Sequence, residues 1–183
     1  MLMKYAILAV SAFALLSACN KKSVDLKDAS VEDVAAASRD AGFITPGQWD
    51  NEMEILSVDM AGGAAANKAV ADSMRQAMVG RKQKVTSCVS EEQARKPDMF
   101  AGQKNGECRY ENFTMSGGKI SSVMHCGAKG SPAAMQMSMN GTYSEADYTA
   151  NVTMTSQGPG GASMTIKARN AGKRTGDCTA SKG

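Results

Sequence analysis

Cys108-Arg109-Tyr110-Glu111-Asn112-Phe113-Thr114-Met115-Ser116-Gly117-Gly118-Lys119-Ile120-Ser121-Ser122-Val123-Met124-His125-Cys126 is the stretch on which the fold turns. Gly117-Gly118 is a two-residue hairpin turn, because both central positions of the tightest hairpins need positive φ. The turn pairs Ser116 with Lys119 and Met115 with Ile120, and the same register sets Phe113 opposite Ser122. The apolar phase slips at Glu111-Asn112. One bulged residue there restores it, bringing Tyr110 opposite Met124 and Cys108 opposite Cys126. Directly opposed strand residues have Cα atoms within disulfide range. Four cysteines allow three connectivities. The register favours Cys108–Cys126, which leaves Cys88–Cys178 by elimination.

Alternation continues on both sides of this hairpin. Downstream, Met135, Met137 and Met139 alternate with Gln136, Ser138 and Asn140. Beyond Ser144 to Asp147, Tyr148, Ala150, Val152 and Met154 alternate with Thr149, Asn151, Thr153 and Thr155. Pairing Tyr143 with Tyr148 sets Met139 opposite Val152 and Met137 opposite Met154, so both strands turn one apolar face the same way. After the loop Gln157 to Gly161, a last strand places Met164, Ile166 and Ala168 inward.

Upstream, Pro46-Gly47 is a turn signal. Trp49, Met53 and Ile55 then alternate with acids, and a slip at Ile55-Leu56 passes the apolar face to Leu56, Val58 and Met60. From Ala64 to Val79 the period is helical, with Ala66, Val70, Met74 and Met78 on one stripe. Val85 to Val89 is a short strand carrying Cys88. Ser30-Val31-Glu32-Asp33 has the form of a capping box, and the helix it opens runs to Gly42, as part of either the domain or its stalk.

These elements predict an α+β fold. It has an antiparallel sheet of about six strands, a meander able to curl into a partial barrel, covered by the one main helix from Ala64 to Val79 and stapled by two disulfides.

The N-terminus sets the compartment. One positive charge (Lys4), an apolar run from Tyr5 to Leu16 and small residues before Cys19 have the layout of a secretory signal. The run of about a dozen residues is short of the ~20 that span a bilayer. Leu16-Ser17-Ala18-Cys19 resembles a lipobox, which implies that Cys19 is acylated and starts the mature chain. The expected organisation is a signal peptide over 1–18, a lipidated tether with a short helix over 19–42 and one disulfide-stapled domain over 43–183. Removing Cys19 from the five cysteines leaves an even set, as an oxidising compartment favours. Asn20 after the cysteine, where Asp would retain a lipoprotein at the inner membrane, resembles outer-membrane sorting.

Composition narrows the function classes. The mature chain carries 20 basic against 18 acidic residues, a balance with no footprint for nucleic acid. Only 19 of its 165 residues are Leu, Ile, Val or Phe, a level at which disorder competes with folding. Twelve methionines supply the missing apolar volume, and each disulfide adds about 2–4 kcal/mol.

Pro46-Gly47-Gln48-Trp49, Val85-Thr86-Ser87-Cys88-Val89 followed by Glu91-Glu92-Gln93, Gly117-Gly118-Lys119 leading to Cys126, Gly141-Thr142-Tyr143 and Gly172-Lys173-Arg174-Thr175-Gly176-Asp177-Cys178 fall in an order and spacing that resemble the bacterial family called domain of unknown function 3617, over residues 43 to 178. The resemblance implies a periplasmic or lipidated protein with paired cysteines, and contributes no catalytic residue.

No catalytic or cofactor motif is present in the sequence. The single histidine, His125, points away from the inferred disulfide face. No Cys-x-x-Cys offers a reactive thiol. Gly158-Pro159-Gly160-Gly161 lacks the following Lys-Ser/Thr helix of a phosphate loop. The leading expectation is therefore a non-enzymatic protein anchored to the outer membrane through Cys19, facing the periplasm and binding a protein partner or envelope component. A Cu(I)-handling protein using Met135, Met137, Met139 and Met154, with Met124-His125 nearby, is the alternative. A hydrolase inhibitor is a further one.

Overall fold

A computed structural model of the chain describes residues 23–41, 45–63, 68–95, 108–127 and 134–178. The expected signal peptide and Cys19 lie outside these residues. Eight antiparallel strands form one open sheet in the order β1-β4-β5-β6-β7-β8-β2-β3. They are β1 (Val24–Ser30), β2 (Gly47–Ala61), β3 (Lys82–Val89), β4 (Cys108–Ser116), β5 (Lys119–Cys126), β6 (Met135–Tyr143), β7 (Asp147–Gln157) and β8 (Ser163–Gly176). Among the described residues three α-helices accompany them, α1 (Val31–Asp40), α2 (Lys68–Met78) and the single turn α3 (Glu91–Arg95), with a 3-10 turn at Pro159–Gly161.

The expectation of a six-stranded α+β fold under one main helix is overturned. The protein is mostly antiparallel sheet, and the sheet stays open, with β1 and β3 as its edges. Two features of the sequence concealed this. Val24–Ser30 reads as a polar tether because Asp25, Lys27 and Asp28 are charged. Yet Val24 and Leu26 lie opposite Met115 and Phe113 of β4. Asp28 then takes a positive φ of 47°, which lets Ala29 recover the inward phase opposite Tyr110. A strand of alternating charge and small apolar residues is still a strand where one face is buried.

The covering helix was also misplaced. On α2, only Ala71 is buried, while Val70 is 41% exposed. Met74 and Met78 are half-buried, and Ala66 lies outside the described residues. The helix that seals the core is α1, which buries Val31, Val34, Ala35 and Ser38. Its start is fixed by a complete capping box. The Asp33 amide donates to Ser30 Oγ at 3.1 Å. Ser30 Oγ and the Ser30 amide donate to the Asp33 carboxylate at 2.8 and 3.2 Å.

The buried cluster joins Val31 and Val34 of α1 to Val24 and Ala29 of β1, to Cys108, Tyr110, Phe113 and Met115 of β4, and to Ile120, Met124 and Cys126 of β5. Tyr110 meets Phe113 edge-on, with centroids 5.6 Å apart. The β4–β5 register runs from Ser116 opposite Lys119 to Cys108 opposite Cys126, shifting by one residue at Glu111. Gly117 and Gly118 both take positive φ at its turn. Two disulfides close the fold, Cys108–Cys126 with Cα atoms 4.0 Å apart and Cys88–Cys178 with Cα atoms 5.4 Å apart.

On β2 the register shifts between Ile55 and Ser57. Leu56 is the extra residue and is 45% exposed, whereas Val58 is 1% exposed. The apolar face therefore passes from Ile55 to Val58 and skips the leucine.

These observations set two expectations. Val34→Ala should lower the unfolding free energy by about 1–3 kcal/mol while Val70→Ala changes it by less than about 0.5, measured by denaturant titration. The Ser30 hydrogen bonds hold the Asp33 carboxyl below its ordinary pKa. A carboxylate whose folded pKa is depressed stabilises above its unfolded pKa and loses that effect as pH falls through the folded one. The stability gap between the wild type and Asp33→Asn should therefore shrink between pH 7 and about pH 3.

Candidate functional site

The strand registers place one set of side chains on the inner face of the sheet. One row across it runs Met124, Met137, Met154, Ile166 and Val58. The next row runs Cys126, Met135, Ser156, Met164 and Met60, and the row on the other side runs Ser122, Met139, Val152, Ala168 and Ile55. With Met115 and Met53, nine of the twelve methionines after Cys19 project from this single face. The period of two that sets strand faces concentrates them there.

This face is unevenly covered. Under α1, Met115 and Met124 are 0% and 6% exposed. Beyond it Met60, Met135, Met137, Met139, Met154 and Met164 are half-buried. At the β2–β3 end Met53 and Val85 are 39% and 49% exposed. α2 packs on β2, where Arg75 Nε donates to the Val58 carbonyl at 3.3 Å. What remains is an apolar, methionine-lined strip between the two helices. Asn170 faces the same way, between Ala150 and Met53 in register, and its Oδ1 is buried without a hydrogen-bond partner.

One end of the strip is closed by a polar and aromatic cluster that pattern reading did not find. Trp49 is buried, and its Nε1 donates to the Thr45 carbonyl at 3.0 Å. Its ring lies 6.1 Å from that of Tyr148. The Tyr148 hydroxyl donates to Asn51 Oδ1 at 2.9 Å, and Asn51 Nδ2 donates in turn to Ser87 Oγ at 3.1 Å. Burial pushes the Tyr148 phenol pKa up. The cluster needs Gly172, because a Cβ there would lie 2.1 Å from the Tyr148 ring. The sequence signal was the glycine in Gly172-Lys173-Arg174, at a position where a strand otherwise prefers a side chain. Beside the cluster, Arg174 Nε donates to the Pro46 carbonyl at 2.7 Å, and Arg174 Nη2 pairs with Asp177 at 2.6 Å.

The outer face is polar. Glu52 pairs with Lys82 and Lys84, and Glu54 pairs with Lys82 and Arg169. The two lysines beside Glu52 hold its carboxyl below the ordinary pKa. His125 also faces outward, with Nε2 2.8 Å from Glu111 Oε2, and Glu111 is the residue extruded at the β4 bulge. Among the residues considered for a metal, the fold thus gathers Met124, Met135, Met137, Met139 and Met154 on one face and sets His125 on the other. Among the described residues, no group of three or more His, Cys, Asp or Glu side chains is placed to hold a metal ion. Cys88, Cys108, Cys126 and Cys178 are all oxidised, and Cys19 lies outside the described residues.

Fold and face together define a disulfide-stapled, single-sheet β protein with a half-covered apolar surface. Residues 44–178 match the model of the family described as protein of unknown function (DUF3617), and the chain belongs to that family. The match begins after β1 and α1, the two elements that complete the buried cluster. No curated protein matches the sequence. Among solved structures, the S-type phycobiliprotein lyase CPES from Guillardia theta is similar over 82% of this chain and 94% of that chain, at 11% identity and a TM-score of 0.31. A likeness of that degree bears on neither fold nor function.

Gly172→Ala should expel the Tyr148 ring from beside Trp49. Trp49 is the only tryptophan, so its emission should shift to the red at unchanged far-ultraviolet circular dichroism. An unshifted spectrum would show that the strand yields instead of the ring.

Proposed function

We propose that this protein is a non-enzymatic binding module, anchored to the outer membrane by a lipid on Cys19, and that the uncovered strip of its methionine face receives an apolar segment of a protein partner in the periplasm. The observation that carries this reading is the contiguous run of half-exposed Met137, Met139, Val152, Met154 and Ile166 leading to exposed Met53 and Val85. Contiguous exposed apolar surface marks interaction sites on soluble domains. Methionine suits such a surface because its unbranched thioether adapts to different partner shapes. The unpartnered Asn170 Oδ1 within the face favours a ligand with a hydrogen-bond donor among its apolar groups, as a main-chain amide provides. Disulfide pairing of the four domain cysteines removes thiol nucleophiles from the domain, in keeping with binding and not catalysis.

A photo-crosslinking residue in place of Met53 should give a discrete adduct in intact cells. The same residue in place of Thr153, which lies on the outer face, should give none. Adducts at neither position, or equally at both, would overturn the assignment of the face. Cys19→Ala should move the protein from the membrane to the soluble fraction, and an unacylated mature N-terminus in the wild type would remove the anchor.

A further inference from the structure

We propose that Met137, Met139 and Met154 form a thioether site for one Cu(I) ion on the open part of the inner face. Met137 on β6 and Met154 on β7 are directly opposed, which places their Cβ atoms about 4.5–5.5 Å apart. Met139 is the next inward residue on β6, about 7 Å along the strand. Three rotatable bonds let each thioether reach a common point from those bases. All three side chains are half-buried, so a small ion can reach the sulfurs while the surroundings stay poor in water.

The chemistry of the surroundings selects the ion. Ala150, Val152, Ile166 and Ala168 share the face with these methionines, and none has an ionisable side chain. A neutral ligand set around a monovalent ion leaves a single charge to solvate. A divalent ion with no anionic ligand would pay far more for leaving water. Thioethers are soft donors that favour Cu(I), whereas Zn(II) and Cu(II) prefer imidazole, carboxylate or thiolate. Those groups are elsewhere: His125 is turned outward to Glu111, and the four domain cysteines are closed in disulfides. Soft donors on this face are therefore thioethers.

The test is an anaerobic titration of the purified full chain with Cu(I) against a colorimetric Cu(I) chelator, using the wild type, Met137→Leu/Met154→Leu and His125→Ala. Leucine keeps the apolar volume, a swap that cores tolerate, and denaturant unfolding of the double variant checks that the fold is intact. The wild type should withdraw one equivalent of Cu(I) from the chelator, the double leucine variant should lose that capacity and His125→Ala should retain it. X-ray absorption should show a first shell of sulfur alone. Failure of the wild type to compete, equal binding by the double variant, or nitrogen and oxygen in the first shell would each overturn the site. Because leucine preserves an apolar docking face, loss of copper with the Met53 crosslink intact separates this site from the docking reading.

Discussion

Phe113, Met115 and Val34 have no accessible surface, and the rest of the molecule is arranged around keeping them so. The β4–β5 hairpin supplies two of these side chains and α1 supplies the third. The constraint is severe because the chain is poor in branched aliphatic residues. It can seal one compact cluster, and it places that cluster where one helix, one tight hairpin and the edge strand β1 converge. The capping box at Ser30 matters for the same reason, since it turns the chain from β1 directly into the helix that covers its own strand.

Among the described residues the remainder of the sheet has no comparable cover, and the disulfides are distributed accordingly. Cys108–Cys126 closes a short loop at the border of the buried cluster. Cys88–Cys178 spans 90 residues and ties the exposed edge strand β3 to the end of β8. In the chain-entropy view the longer loop gives the larger stabilisation, about 4–5 kcal/mol against about 3 for the shorter. The larger staple thus sits where burial contributes least. Ion pairs on the outer face, Glu52 and Glu54 with Lys82, Lys84 and Arg169, join the same strands but are too exposed to add much. Between staple and helix lies the methionine strip, ordered by its strands without being enclosed.

How much of this was legible varied with the kind of signal. The hairpin registers were, because Gly117-Gly118 and the Tyr143–Tyr148 pairing fix phase locally, and a period of two admits no partial error. The bulges at Glu111 and beside Ile55 were visible as phase slips. Their consequences were only half visible, since Leu56 looked like a face residue and is the extruded one. The helical cover was misread because α2 has a clean apolar stripe, and a stripe shows amphipathicity without showing what lies opposite it. α1 is rich in alanine and read equally as part of the domain or of its stalk, yet small residues are what allow a helix to sit closely on a sheet. The strand β1 was hidden by its charges, all of which point outward. The Tyr148–Gly172–Asn51 cluster joins strands distant in sequence and leaves only an isolated glycine as its trace.

The account stands on a face divided into sealed and open parts, and limited oxidation measures that division directly. Thioethers convert to sulfoxides according to access. After brief exposure of the folded protein to dilute peroxide, peptide mapping should find Met53 oxidised first, then Met137, Met139 and Met154, with Met115 and Met124 intact until the protein unfolds. Early oxidation of Met115 or Met124, or equal protection of all nine, would contradict it.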